Sequence, residues 1–215
     1  MTGSRTRSRI SHAERSRETR RRIVDAATML FLRDGYLRVT MNALAKEADV
    51  AVRTLYLSFA NKTAILSAAF DSAVAGDDEP VPIVERDWYK SLASDPSGPV
   101  CVADFFDHSA TIIERSTPLY AVIRAASAEP EVAALLAANK RERHAALLGV
   151  AEQVARKKGF RTELTAEDAA GIMYALSSAE SYLMLVDEHG WSVEQWRRWT
   201  LATLTDQLFA PAPGR

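Results

Sequence analysis

The stretch MNALAKEADVAVRTLYLSF, residues 41–59, reads as two helices of barely two turns each, joined at a tight corner around ADV. Helices that short are marginal in isolation, so a shared core must hold them. Counting Met41 as one, the fifth residue is Ala45, small enough for the second helix to cross over it. The ninth, Asp49, falls in the corner, where the backbone needs a positive φ and Gly is the usual occupant. Asp tolerates that region better than most residues, at a cost of about 1 kcal/mol. The tenth and fifteenth, Val50 and Leu55, are apolar and lock the two helices together, with Leu44 adding an inward contact. Two short helices crossing steeply through such a turn form a helix-turn-helix.

Upstream, Ile23, Ala26, Ala27, Leu30 and Phe31 recur on one face of a helix that begins near Arg20. Gly35 is a helix stop, and Thr40 is the N-cap of the next helix. Downstream, Asn61 caps a fourth helix whose inner side carries Ile65, Ala68, Ala69 and Ser72. Residues 1–17 are rich in Arg and Ser and lack periodicity, which predicts a disordered arm. Residues 76–99 hold two glycines and four prolines and read as connections around one short helix near VERDWYKSLA. Beyond them the pattern predicts helices at about 100–116, 118–128, 130–158, 165–188 and 192–209, with a break at the STP of residues 116–118. The expected fold is all-α: an arm at 1–17, a helix-turn-helix domain at 18–65 and a helical body at 66–215.

The charge is divided along the chain. Residues 1–65 carry 13 basic and 6 acidic side chains, net +7; residues 66–215 carry 14 and 22, net −8. A basic end on an acidic body points to a polyanionic partner for the first part, the alternative being a solvated basic tail. No apolar run approaches eighteen residues, so no membrane span is expected. The basic first ten residues lack the apolar stretch of a secretory signal. The one cysteine, Cys101, fits a reducing, cytoplasmic setting. Catalysis finds no support: His12, His108, His144 and His189 are not paired at metal-ligand spacing, and no Gly-rich phosphate loop or nucleophile elbow occurs. No metal or cofactor is expected.

RIVDAATMLFLRDGY, VTMNALAKEADV and TLYLSFANKTAIL together resemble the DNA-binding domain of the TetR family of transcriptional regulators over residues 20–70. The tail SSAESYLMLVDEHGWSVEQWRRWTLATL is similar to the end of many members, whereas residues 76–160 match in helix pattern alone. The resemblance implies a third helix, residues 52–59, lying in the major groove of duplex DNA. The docking geometry of the motif puts its first residues near base edges. Arg53 is then a reader of guanine, Val52 a neighbour of a thymine methyl, and Asn42 within reach of a base or a phosphate. Thr54 and Tyr56 match family positions that bond phosphates or bases, and Lys62 matches a lysine that holds a phosphate. Thr40 is a further phosphate candidate. Ser58 stands, with Leu57, where the family often has larger polar residues, which implies a different operator preference. Arg5, Arg7, Arg9, Arg15 and Arg17 track phosphates, enter a minor groove, or simply form a solvated tail.

For the body, the resemblance implies a homodimer built by residues 165–209 and a pseudo-palindromic operator. Ile172, Leu176, Ala179 and Leu183 form one apolar stripe with Met173, Ser177 and Met184 beside it, as a helix buried on two sides requires. The competing reading closes the monomer core with the same helices. Trp88, Phe105, His108, Ile112, Tyr120, Arg124, His144, Leu148, Tyr174 and Ser181 are candidates for lining a small-molecule effector cavity with mostly apolar walls. The expected function is a repressor released from its operator by a small, largely apolar effector. The alternative is a DNA-binding regulator or architectural protein governed by a protein partner or by no ligand.

Overall fold

The structure, a computed structural model, describes residues 12–76, 81–92, 94 and 97–210. It divides into two compact units, residues 1–69 and 70–215. The boundary falls inside one helix.

In the first unit, α1 (His12–Asp34) supplies the face that the periodicity predicts: Ile23, Ala26, Ala27, Leu30 and Phe31 are buried. Gly35, at φ 75°, ends it and donates its N–H to the Phe31 carbonyl. Residues 12–17, expected to be part of a disordered arm, instead form the first turns of α1. That extension is exposed and polar, so no apolar period reveals it; Glu18 pairs with Arg21 at 2.8 Å to support it. Arg15 and Arg17 therefore lie on α1, while Arg5, Arg7 and Arg9 fall outside the described residues. α2 (Met41–Glu47), α3 (Val52–Ser58) and the start of α4 (Lys62–Ala75) close over α1. Leu44, Ala45, Leu55, Phe59, Ile65 and Leu66 join its core. Asn61 Oδ1 accepts the Ala64 N–H at 2.7 Å, as an N-cap should.

The second unit begins with the end of α4 and a short 3₁₀ turn at Ile83–Glu85. α5 (Asp87–Ser91), α6 (Gly98–Ala125) and α7 (Pro130–Val154) follow. The expected break at residues 116–118 does not occur: α6 runs through Pro118. An interior proline costs about 3 kcal/mol. The turn around it buries Leu119, Tyr120 and Ile123, which offsets that cost.

The predicted continuous helix at 165–188 is, conversely, three pieces: α8 (Ala166–Leu176), α9 (Ala179–Tyr182) and a π-helical turn at Leu183–Glu188. Ser177 and Ser178 make the break. Ser178 Oγ accepts the Ser181 N–H at 2.9 Å, an alternative to the helical ladder. Arg143 of α7 donates to the carbonyls of Tyr174 and Ser177, so the freed acceptors are satisfied. The last element is α10 (Val193–Leu208). The core holds Val102, Phe106, Val150, Val154, Met173 and the fully buried Trp196, whose Nε1–H donates to Ser181 Oγ at 3.4 Å.

Candidate nucleic-acid interface

The short helices are fixed at each corner by named contacts. Thr40 Oγ1 accepts the Ala43 N–H at 3.2 Å and starts α2. Asp49 takes φ 50°, the left-handed conformation expected of it, and the Val50 N–H closes the turn onto the Ala45 carbonyl at 2.9 Å. Leu55 is fully buried between α2 and α3. Val50 is half-buried rather than enclosed.

Two arginines of α1 hold the motif from behind. Arg22 donates to the carbonyls of Ala48 at 2.6 Å and Asp49 at 2.8 Å, pinning the turn. Arg20 donates to the Ser58 carbonyl at 3.0 Å and lies 4.0 Å above the Phe59 ring, closing the end of α3. Neither role is legible in a helical period, because both side chains leave the exposed face of α1 to reach backbone carbonyls.

With Leu55 inward, α3 presents Val52, Arg53, Tyr56 and Leu57 outward, an arc of about 140° at 3.6 residues per turn. Tyr56 is 54% exposed and Leu57 80% exposed. Thr54 and Ser58 sit at the margin, both half-buried, with Ser58 Oγ donating back to the Thr54 carbonyl at 3.0 Å. Thr40 and Asn42 are exposed at the start of α2.

Lys62 departs from expectation. Its ammonium donates inward to the carbonyls of Tyr36 at 2.8 Å and Val39 at 3.0 Å, and lies 4.0 Å from the Tyr36 ring. The Tyr36 hydroxyl in turn bonds Thr63 Oγ1 at 2.8 Å. Lys62 thus ties α4 to the segment before α2.

In the second unit the ten effector candidates do not converge on one cavity. Trp88, His108 and Ile112 line a small cleft, about 180 Å³, with Ala75, Arg86, Asp107, Thr111 and Arg115. Trp88 and His108 stack there, centroids 4.5 Å apart and planes 7° apart. Arg115 donates to the carbonyls of Ala73 and Val74 and so holds the last turn of α4. Phe105 belongs to the packed core and Leu148 packs against that core. Arg124 is exposed.

Tyr120, Tyr174 and Ser181 meet instead at the α8–α9 break. The Tyr120 hydroxyl donates to Glu180, Arg143 lies 4.1 Å above the Tyr174 ring, and Lys140 and Arg143 stand 3.6 and 3.7 Å from the Glu180 carboxylate. His144 borders this group, its ring edge-on to Tyr174 with centroids 6.1 Å apart, and pairs with Glu167 at 3.3 Å. Burial, with the hydrogen bond to Glu180, pushes the Tyr120 phenol well above its ordinary range. Burial lowers the Arg143 guanidinium against the opposing pull of Glu180. Burial also works to raise the Glu180 carboxyl, but the Tyr120 hydroxyl, its own backbone and the two cations outweigh it, leaving it below the usual glutamate range.

Residues 23–69 match the family described as bacterial regulatory proteins, tetR family. The first unit therefore carries that family's N-terminal domain. It is 46% identical over 57 residues to the HTH-type transcriptional repressor KstR of Mycolicibacterium smegmatis, which covers 26% of this chain and 28% of that protein. The chain thus matches only about a quarter of the length of the first curated relatives. The fold is shared more widely. The transcriptional regulator FadR of Bacillus subtilis, in complex with stearoyl-CoA, superposes with a TM-score of 0.67 at 18% identity, over 87% of this chain and 98% of that one. NalD, the secondary repressor of the MexAB-OprM multidrug efflux pump in Pseudomonas aeruginosa, gives 0.69 at 17% identity, over 91% and 98%. The family is one of regulatory proteins rather than enzymes.

Proposed function

We propose that this chain is a repressor that binds a pseudo-palindromic DNA operator as a homodimer and leaves it when a small, largely apolar molecule binds the second unit. The observation that carries the reading is the outward face of α3: Val52, Arg53, Tyr56 and Leu57 project from a helix-turn-helix whose other side is buried. The net +7 of residues 1–65 supports a polyanionic partner. Arg53 bonds the two major-groove acceptors of a guanine; Thr40, Asn42 and Tyr56 hold phosphates and fix the register. Thr54, Ser58 and Lys62 shape and support that surface from its margin. Repression is carried over from relatives such as KstR.

Dimerisation is supported by the segment Ala166–Glu188. Among the described residues it is long and apolar enough by composition to cross a membrane, against the expectation from the sequence, yet only a third of its most apolar stretch is buried within the chain. Gly171 and Ala175 of α8 are exposed, as are Met184 and Trp199. Pairing with the same face of a second copy covers this surplus without a bilayer.

Release works through α4. A ligand in the cleft of Trp88, His108 and Ile112 lies beside Arg115, which holds the end of α4. Moving α4 changes the separation of two α3 helices that must meet major grooves about 34–36 Å apart. Selection of bound duplexes from a random pool should enrich a dyad-symmetric sequence; no enrichment contradicts the reading. An effector that weakens operator binding 100-fold must itself bind 100-fold more weakly to the operator complex, a coupling of about 2.7 kcal/mol.

A further inference from the structure

The outward face of α3 is chemically lopsided. Arg53 is its one cation, Tyr56 has a single hydroxyl, and Val52 and Leu57 offer no polar atom. Leu57 is the most exposed of the large apolar side chains among the described residues, at 80%. It follows Arg53 by four residues, so the two stand side by side one turn apart. The turn holding α3 is pinned by Arg22 and its end by Arg20, so Leu57 sits on a braced helix.

Base edges in the major groove offer hydrogen-bonding groups and one apolar feature, the C5 methyl of thymine. A side chain with no donor or acceptor gains nothing from the other bases. We infer that Leu57, together with Val52, is a specificity-determining residue that reads thymine methyl groups beside the guanine read by Arg53. The inference rests on the DNA-binding role proposed above and specifies the operator chemistry for it: each half-site joins a guanine to neighbouring thymines.

Deoxyuridine differs from thymidine by that methyl alone, so it supplies the test. The probe is the duplex enriched by wild-type protein, resynthesised with each half-site thymine replaced in turn by deoxyuridine, on both strands. Burying one methylene-sized group is worth about 0.8 kcal/mol, so each contacted methyl should cost roughly fourfold in affinity. Leu57→Ala should bind the parent duplex more weakly and lose the deoxyuridine effect at one thymine while keeping discrimination at the guanine. Because Leu57 is so exposed, this variant keeps the fold, and amide protection of residues 41–59 verifies that. Val52→Ala should lose the effect at a different thymine. The inference is overturned if no replacement weakens binding more than about twofold, against the fourfold expected of a buried methyl. It is overturned equally if Leu57→Ala retains every deoxyuridine effect, which would make Leu57 a surface for something other than DNA. An enriched duplex bound through Arg53 but indifferent to thymine methyls sinks this inference alone. Failure to enrich any duplex sinks the DNA-binding reading with it.

Discussion

Replacing Lys62 by methionine separates two roles that the same residue can hold. Methionine keeps most of the apolar stem and removes the ammonium, which bonds the carbonyls of Tyr36 and Val39 and faces the Tyr36 ring. Hydrogen bonds to a charged donor are worth about 1.5–3 kcal/mol when well buried. Lys62 is only half-buried, so about 1 kcal/mol each is the appropriate figure. The ring contact adds about 0.5–1 kcal/mol. The first unit should therefore lose about 2–3 kcal/mol without any DNA present. A chain of two units need not melt in one step, so the assay is hydrogen exchange read peptide by peptide. Protection of residues 41–59 should fall roughly 30- to 150-fold, at about 1.4 kcal/mol per factor of ten, while residues 166–176 stay unchanged. If protection of 41–59 is unaltered and the variant simply loses one unit of salt slope on DNA, Lys62 is a phosphate contact and the structural reasoning is wrong.

Three further outcomes follow from particular residues. Sedimentation at micromolar concentration should give twice the 23.7 kDa chain mass, and Gly171→Arg should give the single mass. Nothing lies within 4 Å of a Cβ at Gly171, so the fold accepts the side chain and a dimer mass for this variant would refute pairing through α8. Glu180→Gln should lower the melting temperature of the second unit at neutral pH. The wild-type carboxyl titrates below its unfolded value, so its stabilisation is present above that value and fades as pH falls through the folded one. The gap between wild type and variant should therefore close in acid; a gap independent of pH would refute the charged role. Asp49→Gly should raise protection of residues 41–59 by up to about 1 kcal/mol, by relieving the φ of 50°. A loss of protection would instead give the carboxylate contact to Arg22, at 3.4 Å, the larger weight.

What the sequence revealed depended on whether a residue's role was periodic and local. The face of α1, the Thr40 and Asn61 caps and the left-handed Asp49 all follow from spacing or from local backbone chemistry, and the structure has each where it was expected. The break at Ser177–Ser178 was hidden because the apolar stripe continues across it, while Arg143, distant in sequence, supplies the donors that make it tolerable. Pro118 misled in the other direction, since a proline reads as a stop unless burial of its neighbours outweighs it. Lys62 matched a family position, yet carbonyls from another segment capture its ammonium. Helical spacing does not show which helices meet, so the effector candidates separate into a cleft, a core and a polar cluster.

The central claim is that α3 reads sequence, and Arg53→Ala tests it most directly. Fluorescence anisotropy gives the affinity of wild type and variant for the enriched duplex and for a random duplex of equal length, at one fixed salt concentration. A bidentate guanine contact is worth about 1–3 kcal/mol of discrimination, so the ratio of specific to random affinity should fall roughly 5- to 150-fold. Affinity for the random duplex should change far less, because Arg53 supplies one charge among many there. A variant that binds the enriched duplex with undiminished preference would contradict the account.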